Sequence, residues 1–160
     1  MQEQRSSYTI LVTGGAGYIG SHTSLILLEA GHEVFVLDNL CNSSDVSLQR
    51  VQDISHKTLR FIEGDVRDAK LLGRIFKDFK IDAVVHFAGL KAVGESAALP
   101  LRYFDNNVNG TLTLCQAMAN AGVHRLVFSS SATIYGAPKY LPIDETQQAG
   151  QTTNPYGRSK

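Results

Sequence analysis

Short β-branched and aliphatic runs, TILVT (9–13), EVFVL (33–37), LRFIE (59–63), AVVHFA (83–88) and RLVFSS (125–130), alternate along the chain with longer amphipathic stretches at 19–30, 45–55, 68–79 and 100–121. Near-continuous apolar strands are buried on both faces, and helices between them cross back over the sheet. The pattern therefore predicts an α/β fold with a doubly wound parallel sheet. Gly31 in EAGHE and Gly122 in NAGVH stand where a helix has to stop before the next strand, a place that favours glycine. With 160 residues the chain has the size of one domain, residues 1–160. After Ser131 the segment GAPKYLPIDETQQAGQTTNP predicts one long loop.

ILVTGGAGYIGSH places Gly14, Gly17 and Gly20 directly after the first strand and at the opening of a helix. Glycine lets a backbone turn sharply and approach a pyrophosphate, and the exposed N–H groups at the positive end of the helix stabilise its charge. The second strand ends in Asp38, eighteen residues past Gly20, where a carboxylate accepts hydrogen bonds from a ribose diol and repels a 2′-phosphate, which favours NAD over NADP. A turn or N-cap aspartate is the competing reading of Asp38. EGDVRD ends the third strand, where Asp65 and Val66 offer adenine a carboxylate and an apolar wall, or else form a solvated turn. HFAGLKAVGES follows the fourth strand, and small Ala88 and Gly89 let the backbone lie against a cofactor. Ligands of open α/β sheets bind at the carboxyl ends of the strands, where strand order reverses.

The fifth strand runs out through FSSSATIYG and carries Ser129, Ser130 and Ser131 to the same edge. Near the end, Asn154 suits an N-cap and Pro155 the first helical position, so Tyr156 and Lys160, four residues apart, share one helical face. An ammonium about 5 Å from a phenol, at an effective dielectric of about 20, contributes on the order of 3 kcal/mol toward the phenolate. A cationic nicotinamide acts in the same direction, and the pair predicts a base working near neutral pH, with Ser131 bonded to the substrate hydroxyl.

Composition narrows the classes further. Fifteen basic and fifteen acidic side chains cancel, with no run of five or six like charges, so nothing draws the chain to nucleic acid. Cys41 and Cys115 form no CxxC, which fits a reducing cytosol, and no metal site is expected. MQEQRSSYT lacks the apolar region of a leader, and no stretch approaches the roughly 20 apolar residues of a membrane span. A soluble cytoplasmic protein is expected.

TGGAGYIGSH, LDNLCNS, EGDVRD, HFAGLKAVGES, NNVNGT, SSSATIYG and NPYGRSK together resemble the extended short-chain dehydrogenase/reductases, and among them the UDP-hexose 4-epimerases, from about Thr9 onward. The resemblance implies a Rossmann fold with tightly bound NAD and the interconversion of UDP-glucose and UDP-galactose through a 4-keto sugar, a step of galactose metabolism. It implies Tyr156 as the base and Lys160 on the nicotinamide ribose. Ser131 and Thr133 would contact the hexose. The nucleotide would be lined by Tyr18 and Ile19, and by Asp38, Asn39, Leu40, Cys41, Asn42 and Ser43. Asp65, Val66, Phe87, Ala88, Gly89, Leu90, Lys91 and Asn106 complete that set, with Lys91 also neutralising substrate phosphate. A nucleotide-sugar 4,6-dehydratase needs a carboxyl pair just after the serine or threonine of the fifth strand, where this sequence has Ala132 and Thr133. A non-catalytic NAD-binding module is the alternative from another class.

In the family the helix of the tyrosine and lysine continues, and a sixth strand and a smaller domain that clamps UDP follow. Helices shorter than about 12 residues are marginal without tertiary support. Residues 147–160 are therefore expected to be poorly ordered, with the fold ending before the sixth strand and the substrate domain. The 160-residue chain is expected to show little or no activity alone. A homodimer is expected of the full-length protein rather than of this chain.

Overall fold

A computed structural model describes residues 7–160. The first six residues, read above for a leader, lie outside the described residues. In chain order the elements are β1 (Thr9–Thr13), α1 (Tyr18–Glu29), β2 (Glu33–Asp38), α2 (Val46–Ser55), β3 (Arg60–Glu63), α3 (Ala69–Asp78), β4 (Ala83–His86), α4 (Val93–Ala98) and α5 (Pro100–Tyr103). A π-helical segment (Phe104–Asn109) leads into α6 (Gly110–Asn120), followed by β5 (Leu126–Phe128), a 3-10 turn (Ala132–Tyr135) and α7 (Pro155–Arg158). Two compact units divide the chain: residues 1–88 with 113–128, and residues 89–112 with 129–160.

The first unit holds a five-stranded sheet of order β3-β2-β1-β4-β5, with every pair parallel. Strand order reverses between β1 and β4, whose register sets Thr13 against His86. Alternation along the strands sends Leu11, Phe35, Leu37 and Val84 to one face, against Leu72 and Ile75 of α3 and Leu114 and Met118 of α6. Ile10, Val12, Val34 and Val36 go to the other, against Leu28 of α1 and Leu48 and Val51 of α2. Each such side chain, taken from water, contributes about 1.5–3 kcal/mol. The doubly wound parallel sheet read from the sequence is the fold observed. Gly31 and Gly122 both carry positive φ, 88° and 71°, at the ends of their helices.

Three boundaries differ from the sequence reading. β4 ends at His86 because the Phe87 and Ala88 N–H groups both turn to the Thr13 carbonyl, at 2.9 and 3.0 Å. β5 ends at Phe128, short of the serines. The single helix expected over 100–121 is interrupted by the π-helical turn, in a run of asparagine and β-branched valine that favours regular helix poorly.

The second unit contains α4, α5, the π-helical segment, the 3-10 turn, the long loop and α7. Its small core is Leu90, Tyr103 and Tyr156. α4 and the 3-10 turn went unread in the sequence because each is only one or two turns long and α4 carries a glycine. Within 147–160, where poor order is expected, Pro155–Arg158 form the short helix α7. Asn154 accepts the Gly157 N–H at 2.8 Å as an N-cap, Pro155 occupies the first helical position, and Tyr156 and Ser159 are buried. Tertiary contact supplies what the helix lacks in length. Among the described residues no helix is long and apolar enough to cross a membrane, and no group of three or more His, Cys, Asp or Glu is placed to hold a metal.

Candidate active site

In the first unit the glycine turn is built by contact as well as by φ. Gly14 has φ 70°, and a Cβ there would stand 2.5–2.8 Å from the backbone of Phe87 and Ala88; a Cβ on Gly20 would strike the Gly14 carbonyl oxygen. Gly17 caps α1 without a side-chain hydrogen bond, which leaves the first N–H groups of that helix free of any capping side chain. Tyr18 and Ile19 flank them and are exposed, as a surface for a ligand requires. Uncapped N–H groups at the start of a helix suit an anion such as a pyrophosphate.

Asp38 is buried and serves the loops around it. Its carboxylate accepts the Ala16 N–H at 3.0 Å, the Leu40 N–H at 2.9 Å and the Ser43 hydroxyl at 2.9 Å. Ser47 holds the Ala16 carbonyl at 2.7 Å, so both polar groups of that residue are fixed. Both readings of Asp38 thus have a basis: it braces the glycine turn, and with three donors on about four lone-pair positions it keeps room for one more. Leu40 adopts φ 55°, a left-handed conformation unfavourable for a branched side chain, and its bond to Asp38 offsets that strain. Asn39 accepts the Cys41 N–H and donates to Asp65 at 3.0 Å, while Cys41 and Asn42 are exposed.

Asp65 is more heavily engaged than a solvated turn. Arg67 donates to it from its backbone N–H and from Nε and Nη2, at 2.8, 2.9 and 2.7 Å, and Asn39 makes a fourth bond. The Arg67 side chain, above all, holds this carboxyl well below the usual carboxylate range, against the opposing effect of burial. Val66, next to it, is buried in the core cluster with Leu11 and Leu37.

In the second unit the residues expected to carry chemistry come together. Ser131 caps the 3-10 turn, accepting the Thr133 N–H at 3.3 Å and the Thr133 hydroxyl at 3.0 Å. Gly157 lies against this turn: a Cβ on it would be 3.1 Å from the Thr133 carbonyl oxygen. Tyr156 is 9% exposed, its ring edge-on to that of Tyr103 with centroids 6.5 Å apart. Lys160 donates from Nζ to the Ser129 carbonyl at 3.0 Å, and burial pushes its ammonium below the ordinary lysine value.

Sequence reading singled out Asn106 and missed its neighbour. Asn107 is buried; its Oδ1 accepts the Leu90 N–H at 2.8 Å and the Asn106 amide at 3.0 Å, and its Nδ2 donates to the Leu90 carbonyl at 2.9 Å and to Ser159 Oγ at 2.8 Å. Ser159 in turn donates to the Tyr156 carbonyl at 2.8 Å. One amide therefore fixes the loop before Lys91 and the turn carrying Tyr156. A signal was present: a polar residue on the otherwise apolar face that includes Tyr103 and Leu114.

The model of the NAD dependent epimerase/dehydratase family matches residues 10–160. The chain is similar to the UDP-glucose 4-epimerase of Haemophilus influenzae, with 62% identity over 151 residues, 94% of this chain and 45% of that protein. It is 58% identical over 151 residues to the UDP-glucose 4-epimerase of Neisseria meningitidis serogroup C, with 94% and 44% covered. Among solved structures it is similar to the UDP-glucose 4-epimerase of Bifidobacterium longum in complex with NAD+ and UDP, at TM-score 0.93 and 54% identity, covering 95% of this chain and 45% of that one. The chain thus spans a little under half the length of these relatives.

Proposed function

The chain belongs to the NAD dependent epimerase/dehydratase family, and from that premise we propose that it carries the NAD-binding and proton-transfer residues of a UDP-glucose 4-epimerase. The observation that carries this reading is the second-unit cluster, with Tyr156 buried beside Tyr103, Lys160 one turn on, and Ser131 and Thr133 on the turn packed against Gly157.

NAD suits the first unit, because the glycine turn lets the backbone close up at the start of α1, where no side chain caps the first N–H groups, and Asp38 retains an acceptor for a ribose hydroxyl. When bound, the cofactor supplies a reversible acceptor for the C4 hydride of the sugar. Tyr156 takes the proton of the sugar 4-hydroxyl and returns it after the 4-keto sugar has turned its other face. Ser131 and Thr133 hold the hexose hydroxyls. Lys160, just past the end of α7, supplies positive charge beside Gly89, and Lys91, exposed, takes the substrate diphosphate.

Ala132 and Thr133 leave no carboxyl pair after Ser131, which disfavours 4,6-dehydration. The activity belongs to the whole protein, with a place in galactose metabolism, the cytoplasm and a homodimer; for the 160-residue chain alone we expect cofactor binding with little or no turnover. The test is conversion of UDP-galactose to UDP-glucose by the whole protein without added cofactor, and its loss in Tyr156→Phe. Release of a 4-keto-6-deoxy sugar would replace this reading with the dehydratase, and NAD binding without any turnover would replace it with a non-catalytic module.

A further inference from the structure

We propose that Tyr103 is a positioning residue for this reaction, fixing the ring of Tyr156 and the backbone beside Lys91 in one arrangement; the inference rests on Tyr156 being the base. Tyr103 is 0% exposed, the largest side chain so completely buried, and it sits in a three-residue cluster with Leu90 and Tyr156. Its ring meets that of Tyr156 edge-on at 76°, an arrangement favoured by the ring quadrupoles. Its hydroxyl is saturated at the other end: it accepts the Ala92 N–H at 3.1 Å and donates to Glu95 Oε2 at 2.7 Å. Glu95 is itself held by Arg102 at 2.8 Å.

Tyr103 and Asn107 are four residues apart, and each holds the same two pieces of chain. Asn107 grips Leu90 and Ser159; Tyr103 grips Ala92 and the Tyr156 ring. Lys91 is thereby anchored on both sides, and the turn of Tyr156 is anchored at both of its ends. Burial and then the Glu95 hydrogen bond raise the Tyr103 hydroxyl above its ordinary value, so Tyr103 keeps its proton and acts as a fixed donor rather than a second base.

Turnover of UDP-galactose is measured on the whole protein, and turnover by the wild type without added cofactor establishes the epimerase reading independently of Tyr103. Tyr103→Phe keeps the ring and removes the grip on Ala92; it is expected to raise KM about tenfold with kcat within about twofold. Tyr103→Leu removes the ring as well and is expected to lower kcat at least tenfold. Glu95→Gln, which keeps an acceptor for the hydroxyl, is expected to stay near wild type in both constants. Wild-type kcat and KM in both Tyr103 variants, with only Tm lowered, overturn the proposal. Ring-labelled tyrosine NMR of the 160-residue chain reads the same arrangement without turnover. The Tyr156 resonances shift in Tyr103→Leu and stay in place in Tyr103→Phe; no shift in the leucine variant overturns the proposal even where the wild type lacks activity. Should the leucine variant fail to fold, the phenylalanine variant decides: Ala92 amide exchange speeds about tenfold, and unchanged exchange overturns the proposal.

Discussion

Lys160 occupies the space that Gly89 leaves open: a Cβ built on Gly89 would stand 3.0 Å from Lys160 Nζ and 3.4 Å from Asn107 Oδ1. The nearer atom is the far end of a flexible side chain, so Gly89→Ala is accommodated by moving the ammonium rather than the backbone. Its bond to the Ser129 carbonyl is the contact given up. Gly89→Ala is expected to change Tm by only a few degrees while weakening NAD binding on the order of tenfold, measured by scanning and titration calorimetry on one preparation. A large loss of Tm with unchanged affinity would contradict this.

Asn107→Ala leaves the Leu90 N–H and carbonyl without their amide partner inside the second unit. Unpaired buried groups are costly, and a loss of about 3 kcal/mol in urea unfolding is expected. Asn107→Asp separates geometry from size. It keeps the acceptor for Leu90 but cannot donate to the Leu90 carbonyl or to Ser159, so it should fare no better than alanine. Wild-type stability in the aspartate variant would show that the two donated bonds contribute little.

What was legible in the sequence follows from how far each residue reaches. The glycine turn, Asp38, and the Asn154-Pro155 start of the last helix are set by neighbours within one turn or by the strand just before, and their spacing gave them away. Asn107 and Tyr103 were missed because their partners, Leu90 with Ser159 and Ala92 with Tyr156, lie up to 53 positions away, and a polar residue on an apolar helix face marks Asn107 as engaged without saying which segments it bridges. The buried contacts of Tyr156 and Ser159 could not be weighed from helix length alone.

Gly14→Ala should act on binding and fold together. The added carbon meets backbone atoms of Phe87 and Ala88, which cannot swing aside as a side chain does, and φ 70° is unfavourable for alanine. A destabilisation of about 2 kcal/mol or more and the disappearance of NAD binding are expected, the first by denaturant titration and the second by calorimetry. Retained affinity would mean that the turn is not the pyrophosphate cradle.

Acid stability should depend on Asp65. Its carboxyl in the folded chain lies below the ordinary value of 3.8, first through the Arg67 side chain. A depressed carboxyl contributes stability that is complete above the unfolded value and is lost as pH falls through the folded one. Asp65→Asn is therefore expected to lower stability at pH 7 and to flatten the fall below about pH 4 by a similar amount, both effects being reduced because the Arg67 pair is partly exposed. Urea midpoints measured from pH 7 down to pH 2 test this, and parallel acid limbs for the two proteins would count against it.

Lys160 presents the opposite sign. Burial lowers its ammonium below the ordinary 10.5, so the unfolded chain holds that proton more tightly than the folded one. Between the lowered value and 10.5, unfolding takes up a proton, and stability rises as pH climbs through that window. Below the window the charge remains buried in the folded chain, a standing penalty tolerated because the group is used. Lys160→Met removes the charge and keeps most of the stem. Its stability at pH 7 is expected to equal or exceed that of the wild type, and the alkaline rise should vanish, while NAD affinity and turnover of the whole protein fall at least tenfold. Thermal unfolding from pH 7 to pH 10.5, alongside NAD titration, reads both. A methionine variant that is markedly less stable at pH 7 would show that the bond to the Ser129 carbonyl outweighs the desolvation of the ammonium, and that Lys160 supports the fold rather than straining it.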